Sequence, residues 1–572
     1  MKMTGCKEQQ NKGKLFLLII LLFGLLAVGA AVCFGGRENA PKPDEDAEPV
    51  LSFSHGSGVY AEDSLCVTIS APKGYTVAFT TDGTFPTAEK DSGSSAVEVE
   101  LEKGMARYLA QHADVQLYQE LSPTQICDDP TLPNGTMLCA AWVDAEGNVG
   151  GTEANVYFLG MDLEALFPGF LVVSVVTDPV HLLDYDTGIL AAGAVHDEWL
   201  QTEEAEEVIA NQYGWLVETN STQHGREWER PCLIQIYDGA DTPAVEQAAG
   251  IRVQGNLSRR LSQKSFNLYF RSDYGEKRLH YELFPGIGEV KSFTLRSGGN
   301  TADSMKYKND MLQSLVSDRA VGMAQGRPAV LFLNGEYWGP YMLTEKISEV
   351  MFQDHYGVDK DQVIVFKDGE LEVGEDGDLP LYQDLMAFAG QDLSDPGTYD
   401  RFCSVMDVRS FADFCAIRVY IGDDDCGNTG WGINKNMVLW RTRDRSFNEG
   451  RWQFFLYDLE KSTGLYSTEV SAYYTNHLQI SLERIPLFAA AIKNPEFREL
   501  FLSALKEIGA EYFSVERVRE TIQAYDEVWR PAMDDYYRRF LDETWKYDNT
   551  IDVTLEFFEK RYDYILSFID EL

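Results

Sequence analysis

Residues 420–442 read YIGDDDCGNTGWGINKNMVLWRT, and residues 451–464 read RWQFFLYDLEKSTG. Three successive carboxylates, Asp423, Asp424 and Asp425, precede Asn434 and Asn436, and Asp458 ends an aromatic run, Trp452–Tyr457, that reads as a strand. A carboxylate directly after a buried strand is usually held by something. A helix or turn cap is one reading of Asp458, and a bound hard cation is the other. Oxygen ligands supplied by two loops suit Mg²⁺, which bridges phosphate oxygens readily.

Upstream of these loops lie two further clusters. Residues 250–271, GIRVQGNLSRRLSQKSFNLYFR, place Gly255 before the cations Arg259, Arg260 and Lys264. Such a loop can meet phosphate through backbone N–H groups and charge, although a basic loop beside a strand is more often only solvated. Residues 332–347, FLNGEYWGPYMLTEKI, read as an aromatic hairpin with the Asn334-Gly335 turn signal, leading to Glu345 at a strand-to-helix junction. Further strands are expected at Val172–Thr177, Cys232–Tyr237, Lys264–Phe270, Phe293–Arg296 and Ala329–Leu333. Apolar residues recur at three- and four-residue spacing over Phe497–Ile508, over Val515–Trp529, and from Leu555 to Ile569, as helices require. Strands first and helices later give an expected α+β class for a large domain over residues 165–572.

Taken together, the clusters resemble the CotH family of spore-coat and secreted atypical kinases, in order and over roughly 400 residues. The resemblance implies an atypical protein-kinase-like domain that uses ATP with Mg²⁺ or Mn²⁺. It gives Lys264 contact with the nucleotide phosphates, Glu345 the part of its ion-pair partner, and Asp458 a metal. Asp425 and Asn436 take the aspartate loop and its following asparagine, with Asp425 a catalytic and metal candidate and Asn436 a metal ligand. Gly255, Arg259 and Arg260 join Lys264 in the nucleotide loop. Where the family's metal strand ends Asp-x-Asp, this chain has Asp458-Leu459-Glu460. The implied activity is transfer of the ATP γ-phosphate to Ser or Thr of a secreted or cell-surface protein. The alternative is a catalytically inactive surface or adhesion protein that binds a protein or glycan partner.

Residues 50–160 show short alternating strands around Asp82-Gly83 and Glu146-Gly147-Asn148, the pattern of an immunoglobulin-like all-β sandwich. TTDGTFPT (80–87) and MLCAAWVDAEGNVG (137–150) resemble the chitobiase/β-hexosaminidase C-terminal-like module, which implies a spacer or a weak glycan contact. Asp82 caps its own turn in this reading. Ala96–Asp129 departs from the compact pattern and reads as an insertion with helical character.

Before the sandwich, residues 1–14 carry Lys2, Lys7, Lys12 and Lys14 against Glu8, and residues 15–34 hold 20 residues without a charge. That run spans roughly 30 Å as a helix, a bilayer core's thickness, so a single-pass signal anchor to the cytoplasmic membrane is expected, with the bulk of the chain extracellular. A cleaved signal peptide is the rival reading. Residues 35–49 form a polar linker. The chain's 49 Lys and Arg against 91 Asp and Glu give a net charge of −42, which excludes a general nucleic-acid binder. It also means a bound nucleotide needs local cations or a metal. Nine cysteines include no CxxC pair.

Overall fold

A computed structural model describes residues 49–112, 126–430, 432–465, 471–540 and 544–572. The first sheet joins β1 (Ser52–Phe53), β3 (Ser64–Ser70) and β5 (Ala96–Glu102), and the second joins β2 (Gly58–Tyr60), β7 (Val149–Leu159), β6 (Thr136–Val143) and β4 (Thr76–Thr80). Period-two alternation makes this sandwich: Val67, Ile69, Val99 and Leu101 of one sheet meet Val77, Leu138, Ala140, Tyr157 and Leu159 of the other. The stretch read as a helical insertion therefore opens with a strand, β5, because Val97, Val99 and Leu101 alternate with exposed Glu side chains. Asp82 Oδ1 accepts from the Thr84 N–H at 3.0 Å, the turn cap that its position predicts.

Seven strands close into a barrel in the order β10-β11-β14-β16-β15-β8-β9, with ranges Leu171–Val176 (β8), Arg230–Tyr237 (β9), Val245–Gln254 (β10), Ser265–Tyr269 (β11), Ser292–Arg296 (β14), Gly326–Leu333 (β15) and Glu336–Glu345 (β16). Every pairing is antiparallel except β8 with β15. A hairpin, β12 (Leu279–Phe284) and β13 (Ile287–Val290), interrupts it. Inside sit Val173, Ile234, Ile251, Phe266, Leu268, Phe293, Leu295 and Leu343. The outer face of β8, β9, β15 and β16 is not solvated. Val172, Val176, Tyr237, Val330, Phe332 and Tyr337 pack against Met137, Cys139, Val156 and Phe158 of the sandwich in one buried cluster. Phe158 stands edge-on to Phe332, with centroids 4.8 Å apart. The long helix Val515–Phe540 closes the seam: Arg539 donates to Asn134 Oδ1 at 2.9 Å and pairs with Glu336 at 3.6 Å.

A second sheet, in the order β18-β17-β21-β22, comprises Val363–Lys367 (β17), Glu370–Val373 (β18), Val438–Thr442 (β21) and Gln453–Phe455 (β22); β19 (Gly427–Thr429) and β20 (Gly432–Lys435) form a small hairpin beside it. The buried helix Val408–Ile421 packs on β22 and on the helix Pro495–Glu507. Here strands and helices alternate, so the expected α+β class with a membrane anchor is corrected to mixed α/β. The five-residue β17 is too short to have shown period, and it places a strand before the helix. Among the described residues no helix is long and apolar enough to cross a membrane. The transmembrane helix read over residues 15–34 lies outside the described residues and receives no support.

Candidate active site between the barrel wall and the second sheet

The outward face of β10, β11, β14 and β16 carries polar residues in register. Arg252 pairs with Asn267, Asn267 with Thr294, and Thr294 with Thr344, a continuous polar row across four strands. Thr294 Oγ1 donates to Asn267 Oδ1 at 2.7 Å. The row forms one wall of a cleft of about 250 Å³, closed opposite by Lys367, Leu456 and Tyr457. Five cations line it, Arg252, Arg259, Arg296, Lys346 and Lys367, against three acids, Asp310, Glu345 and Glu372. In a chain of net charge −42, this local cation excess selects for an anion. Gly255, at φ +112°, opens the loop above the row, where a Cβ would stand 2.0 Å from Ser258 Oγ.

The expected ion pair is not made. Lys264 is buried, and its ammonium donates to the carbonyls of Arg259 at 2.9 Å and Leu261 at 3.0 Å. Burial, reinforced by Arg260 and Arg259, pushes it down to about 7. Lys264 precedes β11 and turns onto the barrel-core side, whereas Asn267 faces the cleft. Glu345 does line the cleft, but it accepts from the Gln325 N–H at 2.7 Å and from His355 Nε2 at 2.8 Å. Among the described residues no ion pair joins it to Lys264. Arg260 is bound by Glu218 at 2.6 Å and does not line the cleft. Arg259 does, while donating to the carbonyls of Gly255 at 2.6 Å and Gln223 at 2.7 Å.

The aspartate loop separates into three roles. Asp423 is buried in an ion pair with Arg418, and Asp424 faces Arg484 at 3.2 Å and Lys461 at 3.4 Å. Asp425 has no cation within ion-pair distance among the described residues. Burial and the neighbouring Asp423 charge push its carboxyl up to about 6. Asn436 Nδ2 donates to Asp425 Oδ2 at 3.2 Å, which brings these two candidates together. Burial raises the Asp458 carboxyl, but the Arg296 guanidinium outweighs it and holds Asp458 below the usual carboxylate range. Glu460 is pushed far up by burial and by the neighbouring Asp458 charge. The longer Glu460 side chain fits because residue 299 is glycine: a Cβ there would stand 2.3 Å from Glu460 Oε2.

Residues absent from the motif reading hold these loops in place. Arg418, on a largely buried helix, donates to the carbonyls of Asn436 at 3.0 Å, Tyr457 at 2.5 Å and Asp458 at 3.2 Å, and to the Asp423 carboxylate. Asp368 Oδ1 accepts the Asn436 N–H at 2.6 Å. Asp368, Asn434, Asn436, Asp458 and Thr463 all adopt left-handed φ between 49° and 54°. Such strain persists only where surrounding bonds over-determine the backbone, and it clusters at functional sites. One signal for Arg418 was available: an arginine in FADFCAIRVYI has to be buried with a partner.

A family model described as CotH kinase protein matches residues 251–565, more than half of the chain. The chain belongs to the CotH kinase protein family. The match begins inside β10, so in this CotH kinase-family chain the sandwich and strands β8 and β9 lie outside it, and the sandwich's resemblance to the chitobiase-type module has no match. No curated protein matches. Kinase-family membership implies ATP and a divalent metal. Among the described residues no group of three His, Cys, Asp or Glu side chains is set to hold a metal. The oxygen donors fit one nonetheless: Asn436 Oδ1 is buried with no hydrogen-bond partner among the described residues, next to Asp425 and in the loop pair that carries Asp458. Two carboxylates and an amide oxygen are the donor type that Mg²⁺ or Mn²⁺ takes.

Proposed function

We propose that this CotH kinase-family protein transfers the γ-phosphate of ATP to a Ser or Thr hydroxyl of a protein substrate outside the cytoplasm. The observation that carries the reading is the cation-lined cleft whose far wall, Leu456–Tyr457, runs directly into Asp458. The polar row and its cations hold the nucleotide's phosphates. Asp458, Asp425 and Asn436 hold the divalent metal, which when bound neutralises charge on the transferring group. Asp425, which has no cation within ion-pair distance among the described residues, accepts the acceptor hydroxyl's proton in this reading. Phosphoryl transfer asks little covalent work of a protein, and positioning plus charge is what these residues supply. The extracytoplasmic site of action rests on the lysine-led apolar segment at residues 2–34.

The test is incubation of the full chain with γ-labelled ATP and Mg²⁺ or Mn²⁺, following autophosphorylation and casein labelling, beside Asp458→Ala. Label in the wild type that is lost in the variant supports the kinase. No label together with no nucleotide-induced thermal shift refutes it and favours the binding-protein alternative, for which the displaced Lys264 speaks.

A further inference from the structure

Arg296 ends β14, the strand between β11 and β16, and its side chain is only 15% exposed. Its guanidinium donates to Glu460 at 2.6 Å and stands 3.8 Å from Asp458 Oδ1. Asp310, on the helix Lys308–Leu315, lines the same cleft and adds a further attraction on Arg296. Tyr457 lies beneath the guanidinium at 5.8 Å. One residue of the neighbouring row, Arg252, donates to Tyr269 Oη at 2.6 Å, and its buried Nε has no partner among the described residues. No carboxylate pairs with Arg252 among the described residues.

We propose that Arg296, seconded by Arg252, is the cation that receives the nucleotide phosphates, and that Lys264 instead shapes the Gly255 loop. The inference rests on the nucleotide-binding reading above. Lys264 already spends two of its three protons on carbonyls and is sealed under the loop, so reaching the cleft would break both bonds. A guanidinium presents a planar fork with five donors. With one edge of Arg296 on Glu460, the remaining donors are available for phosphate oxygens, and the same group fixes the Asp458 loop relative to the cleft. It therefore links phosphate binding to the metal carboxylate in a single side chain.

Isothermal calorimetry of the full chain with Mg·ATP tests this. A lost charge-assisted contact predicts binding weaker by about 10- to 100-fold in Arg296→Met, and by about tenfold in Arg252→Met. Arg296→Lys keeps the charge and recovers part of the loss. Lys264→Met, which loosens the loop but removes no phosphate contact, loses less affinity than Arg296→Met does. A folded Arg296→Met that binds ATP normally overturns the proposal, as does a folded Lys264→Met that does not bind. Should Arg296→Met fail to fold, Arg252→Met decides, because it leaves the buried Glu460 pair intact: unchanged affinity there also overturns it. A wild type that binds no ATP removes the nucleotide reading and this one together, whereas wild-type binding with indifferent arginine variants removes this one alone.

Discussion

Deleting the sandwich should unfold or aggregate the kinase-family lobe rather than release it. Without residues 1–160, six buried barrel side chains, Val172, Val176, Tyr237, Val330, Phe332 and Tyr337, lose their cover. Burial of such a side chain is worth about 1.5–3 kcal/mol, so six represent about 9–18 kcal/mol. Phe167 remains and still packs on Phe332 and Tyr337, at 6.0 and 5.8 Å, which favours the lower end, about 10 kcal/mol. Polar losses add to this. Glu336 forfeits the N–H groups of Leu109 and Ala110, and Arg539 forfeits Asn134 and the Cys127 carbonyl. A domain's whole stability is about 5–15 kcal/mol, so the deletion removes most of it. The assay is expression of the full chain and the deletion side by side, with size-exclusion chromatography and binding of an apolar dye. A monomeric deletion product with native melting behaviour and no added dye binding would show that the barrel stands without the sandwich's cover. Phe158→Ala, a milder change at the same seam, should cost about 3–5 kcal/mol in chemical denaturation.

Three further outcomes are expected. Burial pushes the Glu336 carboxyl up to about 7, against the pull of Arg539. The folded chain therefore holds a proton there that the unfolded chain releases near pH 4.5, and this stabilisation, complete below pH 4.5, fades as pH rises to 7. Denaturant titrations should show the wild type losing about 3 kcal/mol more than Glu336→Gln over that interval, and parallel curves would contradict it. Arg418→Lys should keep a folded chain but lower kcat by more than about tenfold with a smaller change in ATP KM, because a single ammonium cannot hold three carbonyls and Asp423. An unaltered kcat would remove Arg418 from its positioning role. Asp458→Asn should reduce phosphate transfer by about 100-fold or more, measured with γ-labelled ATP at saturating metal.

Short apolar strands were legible in the sequence: the expected Cys232–Tyr237, Phe293–Arg296 and Ala329–Leu333 all fall within observed strands. So were the long helices near residues 497, 515 and 555, because apolar spacing is a local property. Two things were not. The burial of the Val172 and Val330 face by Phe158 joins residues far apart in the chain, and a strand buried on both faces shows no period to betray its second partner. Lys264 was misplaced because motif order says which strand a residue precedes, not which side of the barrel wall it faces. The shift of a single residue, from Lys264 to the 265-267-269 face, separates loop from cleft. Asp425 and Asn436 meet, as the loop pattern suggested, but the choice among three aspartates required seeing which two were already neutralised.

The guanidinium of Arg418 has one more consequence. It grips the carbonyls of Asn436, Tyr457 and Asp458, so the two loops that form the site's lips share one anchor point on one helix. A tilt of the helix Val408–Ile421 would carry both lips together and preserve their spacing. Independent drift of either lip would have to tear a buried ion pair. The machinery is therefore tolerant of movement as a body and intolerant of play between its parts, and loss of the charge at Arg418 or at Asp423 should be survivable only when both positions change in step.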